Sequence, residues 1–386
     1  MHKPNPSKST SAYIHIPFCE HICYYCDFNK VFLEGQPVDE YIQALLKEIE
    51  LTLQIHPTKI SDTIYIGGGT PTSLSASQLD VLLEGIHRLM PTETTKEFTV
   101  EANPGDLTEE KLRVMKHHGV NRLSMGVQTF NNRLLKKIGR KHSAEDVYET
   151  IQLLEKNQFD NVSIDLIYAL PGQTLEDFRD TLHRAIDLGL PHYSMYSLIL
   201  ENKTMFMNWV RQGRLELPTQ EVESQMFEEA IEAMAKSGHH QYEISNFAAP
   251  GKESQHNLVY WNNDNYYGFG AGASGYLGNQ RYKNFGPIQH YLKPLREGKL
   301  PIVETEDLTV KNQIEEEMFL GLRKLEGVSL PHFHKKFGVD FMTVYGNILP
   351  ALIDKNWAVI DHERLKLTQT GLFIGNEVFE KFLLPK

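Results

Sequence analysis

The sequence predicts an α/β chain of parallel βαβ units, with six strands forming an incomplete barrel or an open sheet. Short β-branched or aromatic runs recur through the first 200 residues. Longer amphipathic stretches separate them. Helix-start signals stand where some of those stretches begin.

The predicted strands are YIHI (13–16), TIYIGG (63–68), EFTVEAN (97–103), RLSMGVQ (122–128), VSIDLIYAL (162–170) and HYSMYSLIL (192–200). Between them, Ile42, Leu45, Leu46 and Ile49 share one helical face. Leu79, Leu82, Leu83 and Ile86 share another, at the i, i+3, i+4, i+7 spacing of a half-buried helix. Ser143-Ala-Glu-Asp146 and Thr174-Leu-Glu-Asp177 have the form of capping boxes before helical runs. Six βα units are too few for a full eight-stranded barrel. In either architecture, functional residues gather at the C-terminal strand ends. The unusual residues obey that rule. Cys19 follows the first strand and GGGT the second, while Glu101, Gln128 and Asp165 lie in or near the ends of later ones.

Beyond residue 200 the character changes. Residues 219–236 read as a long acidic helix, and residues 250–286, rich in Gly, Asn and Tyr, as loop. From about residue 306 the pattern is helical again, with Ile314, Met318, Phe319 and Leu322 on one face. WAVID and RLKLT are short strands around a turn at His362-Glu363. Helices followed by a hairpin predict a winged-helix-like α+β domain. The chain thus divides into a core, 1–240, a loop-rich segment, 241–305, and a C-terminal domain, 306–386.

A length of 386 residues with 41% hydrophobic content suits two or three domains and a sizeable core. The net charge of −11 weighs against nonspecific nucleic-acid binding, which needs a basic footprint. No apolar run approaches the ~18 residues of a membrane helix. The N-terminal stretch lacks the apolar core of a secretory signal and reads as a short disordered lead into the first strand. The expected compartment is the cytosol.

Cys19, Cys23 and Cys26 are the only cysteines in the chain. In a reducing compartment such a cluster suggests a metal or redox site, not a disulfide framework. The spacing can wrap thiolates around one compact centre. Three thiolates can serve three irons of a [4Fe–4S] cube and leave the fourth open to a substrate or cofactor. The alternative is a zinc site completed by His21 or His15, although structural zinc more often uses two separated cysteine pairs.

CxxxCxxC after a short first strand resembles the signature of radical S-adenosylmethionine (radical SAM) proteins. The wording YIHIPFCxxxCxYCDF is similar to the group that contains the oxygen-independent coproporphyrinogen III oxidases and the related heme chaperones. The resemblance runs through nearly the whole chain. It implies an incomplete (β/α)6 TIM-like barrel and a [4Fe–4S] cluster on Cys19, Cys23 and Cys26. In this family the open iron chelates the amino and carboxylate groups of SAM, and one electron can cleave SAM to a 5′-deoxyadenosyl radical.

IGGGTPTSL (66–74) joins a strand to a helix, and its glycines could let backbone N–H groups approach a ligand. Without the resemblance, a tight turn explains it equally well. It is not a phosphate loop, because no Gly-Lys-Ser/Thr follows. The resemblance assigns Gly68, Gly69 and Thr70 to the methionine moiety of SAM. It places Tyr13, Glu101, Gln128, Arg140 and Asp165 at cofactor positions, and Tyr25 against the nucleoside. Taken singly, each polar residue is equally an ordinary satisfied group.

Two departures favour the heme-chaperone branch. Phe28 stands where the oxidases carry a fourth cysteine, and only twelve residues precede Tyr13. HNLVYW (256–261) also matches an HNxxYW motif of the chaperones. That implies heme binding by His256, Asn257, Tyr260 and Trp261, with His256 as the iron ligand. From the residues alone, aromatics plugging the barrel are the alternative. The pairs His117-His118 and His239-His240 are expected at the surface. The implied function is a heme chaperone that passes heme to an acceptor protein, such as a respiratory-chain component. It carries a SAM-binding [4Fe–4S] cluster, and a homodimer is compatible with the resemblance. The alternative is a radical SAM enzyme that oxidatively decarboxylates coproporphyrinogen III. No residue is assigned a catalytic role.

Overall fold

The computed structural model describes residues 11–57, 60, 62–90, 92 and 94–385. The expected N-terminal lead, residues 1–10, lies outside them. Strands β1 (Ser11–Ile16), β2 (Thr63–Gly68), β3 (Glu97–Ala102), β4 (Arg122–Gln128), β5 (Val162–Tyr168) and β6 (His192–Ser197) pair in parallel, in that order. Strands β7 (His240–Glu243) and β8 (Asn246–Ala248) extend the sheet antiparallel beyond β6. Strand β9 (Tyr267–Phe269) adds in parallel outside β1, giving a nine-stranded sheet. The edge strands β9 and β7 do not pair, so the barrel is incomplete, as expected.

Side-chain alternation explains the curl. Leu123, Met125 and Val127 of β4, Val162, Ile164 and Leu166 of β5, and Tyr193 and Met195 of β6 belong to the main apolar core. The residues between them, Arg122, Ser124, Gln128, Ser163, Asp165, His192 and Ser194, line the cavity inside the barrel. Apolar side chains thus face the helices and polar ones the lumen, in the two-residue period of a strand.

Both capping boxes form. Ser143 and Thr174 each exchange reciprocal hydrogen bonds with the third helical residue, opening helices Ala144–Lys156 and Leu175–Asp187. The helix faces predicted at Ile42–Ile49 and Leu79–Ile86 are buried. At roughly 1.5–3 kcal/mol per buried aliphatic side chain, these faces hold the helices on the sheet. Three strands end earlier than expected. β5 stops at Tyr168 because Ala169 turns the chain at φ 57°. β3 stops before Asn103, which precedes Pro104 and begins a turn. β6 stops at Ser197 as the chain leaves the sheet.

The segment 250–286 is not loop. It holds helix Gln255–Trp261, strand β9 and strands Ser274–Leu277 and Gln280–Asn284. These last two join Ile302–Asp307 in a separate three-stranded sheet. Its glycines mark close approach, not looseness. A Cβ on Gly268 would lie 1.9 Å from the Ser274 carbonyl oxygen, and one on Gly275 2.3 Å from the Tyr282 ring.

The C-terminal part has its own apolar cluster, including Ile314, Met318, Leu322, Phe333, Phe341 and Leu365. Its hairpin pairs Ala358–Asp361 with Arg364–Leu367, and His362 and Glu363 make the turn at φ 47° and 56°. The histidine pairs depart from expectation. His117 and His240 are exposed, but His118 is buried against Asp80 at 2.8 Å. His239 is half-buried, with Nε2 on the Leu190 carbonyl at 2.8 Å. Among the described residues, no helix is long and apolar enough to cross a membrane.

Candidate functional site

Cys19 ends the short strand Phe18–Cys19, and Cys23 and Cys26 lie on the loop that joins it to its partner strand Val31–Phe32. The Tyr24 amide donates to the Ile138 carbonyl at 3.1 Å, and the Phe206 amide to the Tyr24 carbonyl at 3.1 Å. Tyr24 and Tyr25 pack on a satellite cluster that includes Leu134, Ile138, Ile167 and Phe206. This anchors the loop over the C-terminal ends of the barrel strands. Cys19 is buried, while Cys23 and Cys26 are half-buried. Burial pushes the Cys19 thiol up to about 11, against the Thr70 hydroxyl, which donates to its Sγ at 3.7 Å. Burial also raises the Cys26 thiol, opposed by the Lys30 ammonium. Cys19 therefore keeps its proton at neutral pH unless a metal centre takes its place.

Of the two candidate zinc completions, His15 is committed elsewhere. Its Nδ1 meets the Tyr13 hydroxyl at 3.0 Å and its Nε2 the Asn29 carbonyl at 2.7 Å. His21 lines the same cavity as the cysteines. Among the described residues, no three His, Cys, Asp or Glu side chains converge as ligands of a single metal ion. Thiolates on separate irons of a cube need not converge on one point. A three-thiol donor set with no fourth cysteine suits such a cube with one open iron.

The glycine turn differs from its expectation. Its N–H groups are used internally. Gly68 donates to Glu101 Oε2 at 2.9 Å, Gly69 to the Ile16 carbonyl and Thr70 to the Phe18 carbonyl, each at 2.8 Å. Gly68 sits at φ 114°, and a Cβ there would lie 2.4 Å from the His15 ring. The motif is glycine because β1 and Glu101 press against it.

Glu101, Gln128, Arg140 and Asp165 converge on one cavity of about 520 Å³ with the three cysteines, Tyr25, Gly68, Gly69 and Thr70. Glu101 also accepts from the Tyr65 hydroxyl at 2.7 Å, and burial pushes its carboxyl up. Asp165 accepts from the Ser124 hydroxyl at 3.3 Å. Burial, then the Glu101 charge, pushes it up to about 7. A register shift after Gly126 and φ 68° at Gln128 aim that side chain inward. Arg140 donates to Asn103 Oδ1 at 2.8 Å and to the Gly126 carbonyl at 3.0 Å. Gln128 Oε1 and Arg140 Nε have no partner. Buried polar atoms normally have one. An unmet acceptor, an unmet donor and a lightly used carboxylate suit a polar ligand bearing amine, hydroxyl and carboxylate groups, as SAM does.

A second cavity, of about 440 Å³, adjoins the first across Tyr65, Gly68, Glu101 and Asn257. Tyr13, His15, Phe28, His256, Tyr260 and Tyr266 also line it. Helix Gln255–Trp261 carries the HNxxYW motif and starts at Ser254. The Glu97 carboxylate, at the foot of β3, accepts from the amides of Gln255 at 2.8 Å and His256 at 2.9 Å. His256 is 1% exposed. Its ring stacks on Tyr65 with centroids 5.1 Å apart. Nδ1 meets the Thr63 hydroxyl at 2.7 Å and Nε2 the Tyr260 hydroxyl at 2.9 Å. Burial pushes the imidazole down to about 3, so it is neutral.

The structure therefore brings His256, Asn257 and Tyr260 together and leaves Trp261 outside both cavity linings. The Trp261 ring lies 4.5 Å from the Arg323 guanidinium. Tyr13 faces the second cavity, not the first. Sequence reasoning missed Tyr65, Arg122, Ser124, Ser163, His192 and Ser194, all of which line the barrel lumen. Tyr65 aside, which is on β2, their signal was present as polar residues at alternate positions of β4, β5 and β6.

Residues 13–185 match the family model of the radical SAM superfamily, and residues 308–374 that of the HemN C-terminal domain. The chain is 51% identical over 384 residues to heme chaperone HemW of Lactococcus lactis, covering 100% of this chain and 98% of the relative. It is 50% identical over 374 residues to heme chaperone HemW of Bacillus subtilis, covering 97% and 99%. Coproporphyrinogen III oxidase (HemN) from Escherichia coli, a radical SAM enzyme, superposes with a TM-score of 0.85 at 23% identity, over 98% of this chain and 91% of that one. At that identity the likeness speaks for the fold.

Proposed function

The chain belongs to the HemW family, and from that premise we propose that it binds heme and hands it to an acceptor protein while holding a [4Fe–4S] cluster and SAM. The carrying observation is a pair of adjoining cavities. One holds Glu101, Gln128, Arg140 and Asp165 and is overhung by three thiols; the other is walled by aromatics and lined by His256.

Cys19, Cys23 and Cys26 would hold the cluster, which when bound supplies an electron to SAM. Gly68, Gly69 and Thr70 would hold the methionine moiety, and Tyr25 would meet the nucleoside. Gln128 Oε1 and Arg140 Nε offer the unmet acceptor and donor. Glu101 and Asp165 accept from amine or ribose hydroxyls. Tyr13 supports the rim through its hydrogen bond to His15. For heme, a neutral imidazole is the ligand form that iron accepts. His256 would exchange its Tyr260 bond for the metal. Asn257 and Tyr260 would border the porphyrin, and Trp261, outside the cavity linings and packed on Arg323, would secure the end of the helix that carries them. The acceptor is a heme-requiring protein such as a respiratory-chain component.

The test is an anaerobic hemin titration of cluster-reconstituted protein, followed in the Soret region. Wild type should saturate stoichiometrically, and His256→Ala should bind more weakly with a shifted spectrum. Unchanged binding in the variant would remove His256 from the ligand role. Absence of binding by wild type would overturn the carrier role. The complete polar rim then favours the second reading, tested as decarboxylation of coproporphyrinogen III under reducing, anaerobic conditions.

A further inference from the structure

The lower chamber of the barrel holds a cation with no assigned role. Arg122, the first residue of β4, lines the same cavity as the rim residues and is 2% exposed. Its Nε has no hydrogen-bond partner. Among the described residues, no carboxylate forms an ion pair with it. The nearby carboxylates are committed elsewhere. Glu97 holds the amides of Gln255 and His256, Glu101 holds Tyr65 and Gly68, and Asp165 meets Ser124. Asp165 and Glu101 feel the guanidinium only through space. His192, on the same wall, is neutral and bonded on both nitrogens, to Ser163 at 2.7 Å and Tyr242 at 2.9 Å.

A buried arginine is normally paired or hydrogen-bonded, because desolvating its charge is costly. Of the polar residues around it, the Ser124 hydroxyl is bonded to Asp165, the Ser163 hydroxyl to His192 and the Asn246 amide to Glu243, which among the described residues leaves the Ser194 hydroxyl uncommitted beside the guanidinium. An unpaired guanidinium beside a free hydroxyl is a donor set that suits an oxyanion. SAM's own carboxylate is placed at the rim, at the other end of β4. The second cavity shares Phe28, Tyr65, Gly68, Glu101 and Asn257 with this one, so the aromatic chamber adjoins it.

We propose that Arg122, with the Ser194 hydroxyl, forms an anion subsite that takes a carboxylate arm of the porphyrin cargo. The identity of the cargo rests on the heme reading above. The guanidinium supplies a charged hydrogen bond, and the Ser194 hydroxyl orients the carboxylate.

The experiment titrates cluster-reconstituted wild type, Arg122→Met and Arg122→Lys with hemin, hemin dimethyl ester and SAM. Thermal unfolding is measured without ligand. Loss of one charged hydrogen bond should weaken hemin binding to Arg122→Met by about ten- to a hundredfold. Diester and SAM affinities should not change, and Arg122→Lys should recover part of the loss. The ligand-free Arg122→Met should melt at or above the wild-type temperature, since the unpaired buried charge adds no stability. Equal weakening for hemin and its diester, weakened SAM binding, or a lower melting temperature with intact hemin affinity would overturn the subsite. Wild type that binds hemin, with Arg122→Met unchanged, sinks the subsite alone. Wild type that binds no hemin sinks the heme reading and the subsite together.

Discussion

Glu97→Ala should loosen the helix that carries His256. The carboxylate is 5% exposed at the first position of β3 and accepts from Gln255 and His256 at 2.8 and 2.9 Å. The Ser254 hydroxyl adds a longer contact at 3.5 Å. First-turn amides have no partner within their own helix, and a helix N-terminus favours negative charge. A hydrogen bond to a charged group contributes about 1.5–3 kcal/mol, so losing two costs roughly 3–6 kcal/mol before water enters. The low end, about 3 kcal/mol, corresponds to about a hundredfold change in a local opening equilibrium. Native-state hydrogen exchange reads this directly at the Gln255 and His256 amides. Both should exchange about a hundredfold faster in Glu97→Ala, by the same conversion. Glu97→Gln keeps one acceptor and should fall between. Wild-type exchange at both amides in Glu97→Ala would refute the capping role.

Gly68→Ala should fail to incorporate iron, because φ 114° and a Cβ 2.4 Å from the His15 ring force the turn away from the cysteine loop. Gly35→Ala, at φ 73° with nothing within 4 Å, is the control and should load normally in an iron and sulfide assay. Gly126→Ala should weaken SAM binding at least about tenfold while the protein stays folded, because its Cβ would lie 2.5 Å from Arg140 Nη2. Equilibrium dialysis with SAM checks it. Asp165 should make stability fall as pH rises. Its folded-state value is about 7 against 3.8 for the unfolded chain. Between those values the folded chain keeps a proton that the unfolded chain has released. The contribution is fully present below pH 3.8, declines to about pH 7 and is flat above. At ~1.4 kcal/mol per tenfold change in proton affinity, the decline is on the order of a few kcal/mol. Urea midpoints from pH 4 to 8 should decline less in Asp165→Asn; identical slopes would exclude the carboxyl as the cause.

Much of the chain was legible because its signals are local. A capping box spans four residues, and Ser143 and Thr174 form theirs wherever the helix later packs. Strand runs, helix faces and the cysteine spacing likewise depend on near neighbours in sequence. The gathering of Glu101, Gln128 and Asp165 followed from one topological rule about strand ends, whereas Arg140 came from the resemblance. What sequence could not determine lies in contacts across hundreds of residues. Asn29 meets Gly286, Glu48 meets Asn284 and Thr63 meets His256. These contacts turn a Gly- and Tyr-rich stretch into β9 and its adjoining sheet, seat His256 with both nitrogens occupied and take Trp261 away from the cavities. They also decide that the glycine turn spends its amides on its own chain. Composition and period report what a segment can bury. Only the folded chain decides which partner fills each hydrogen bond, and which buried groups, such as Gln128 Oε1 and Arg122 Nε, are left without one.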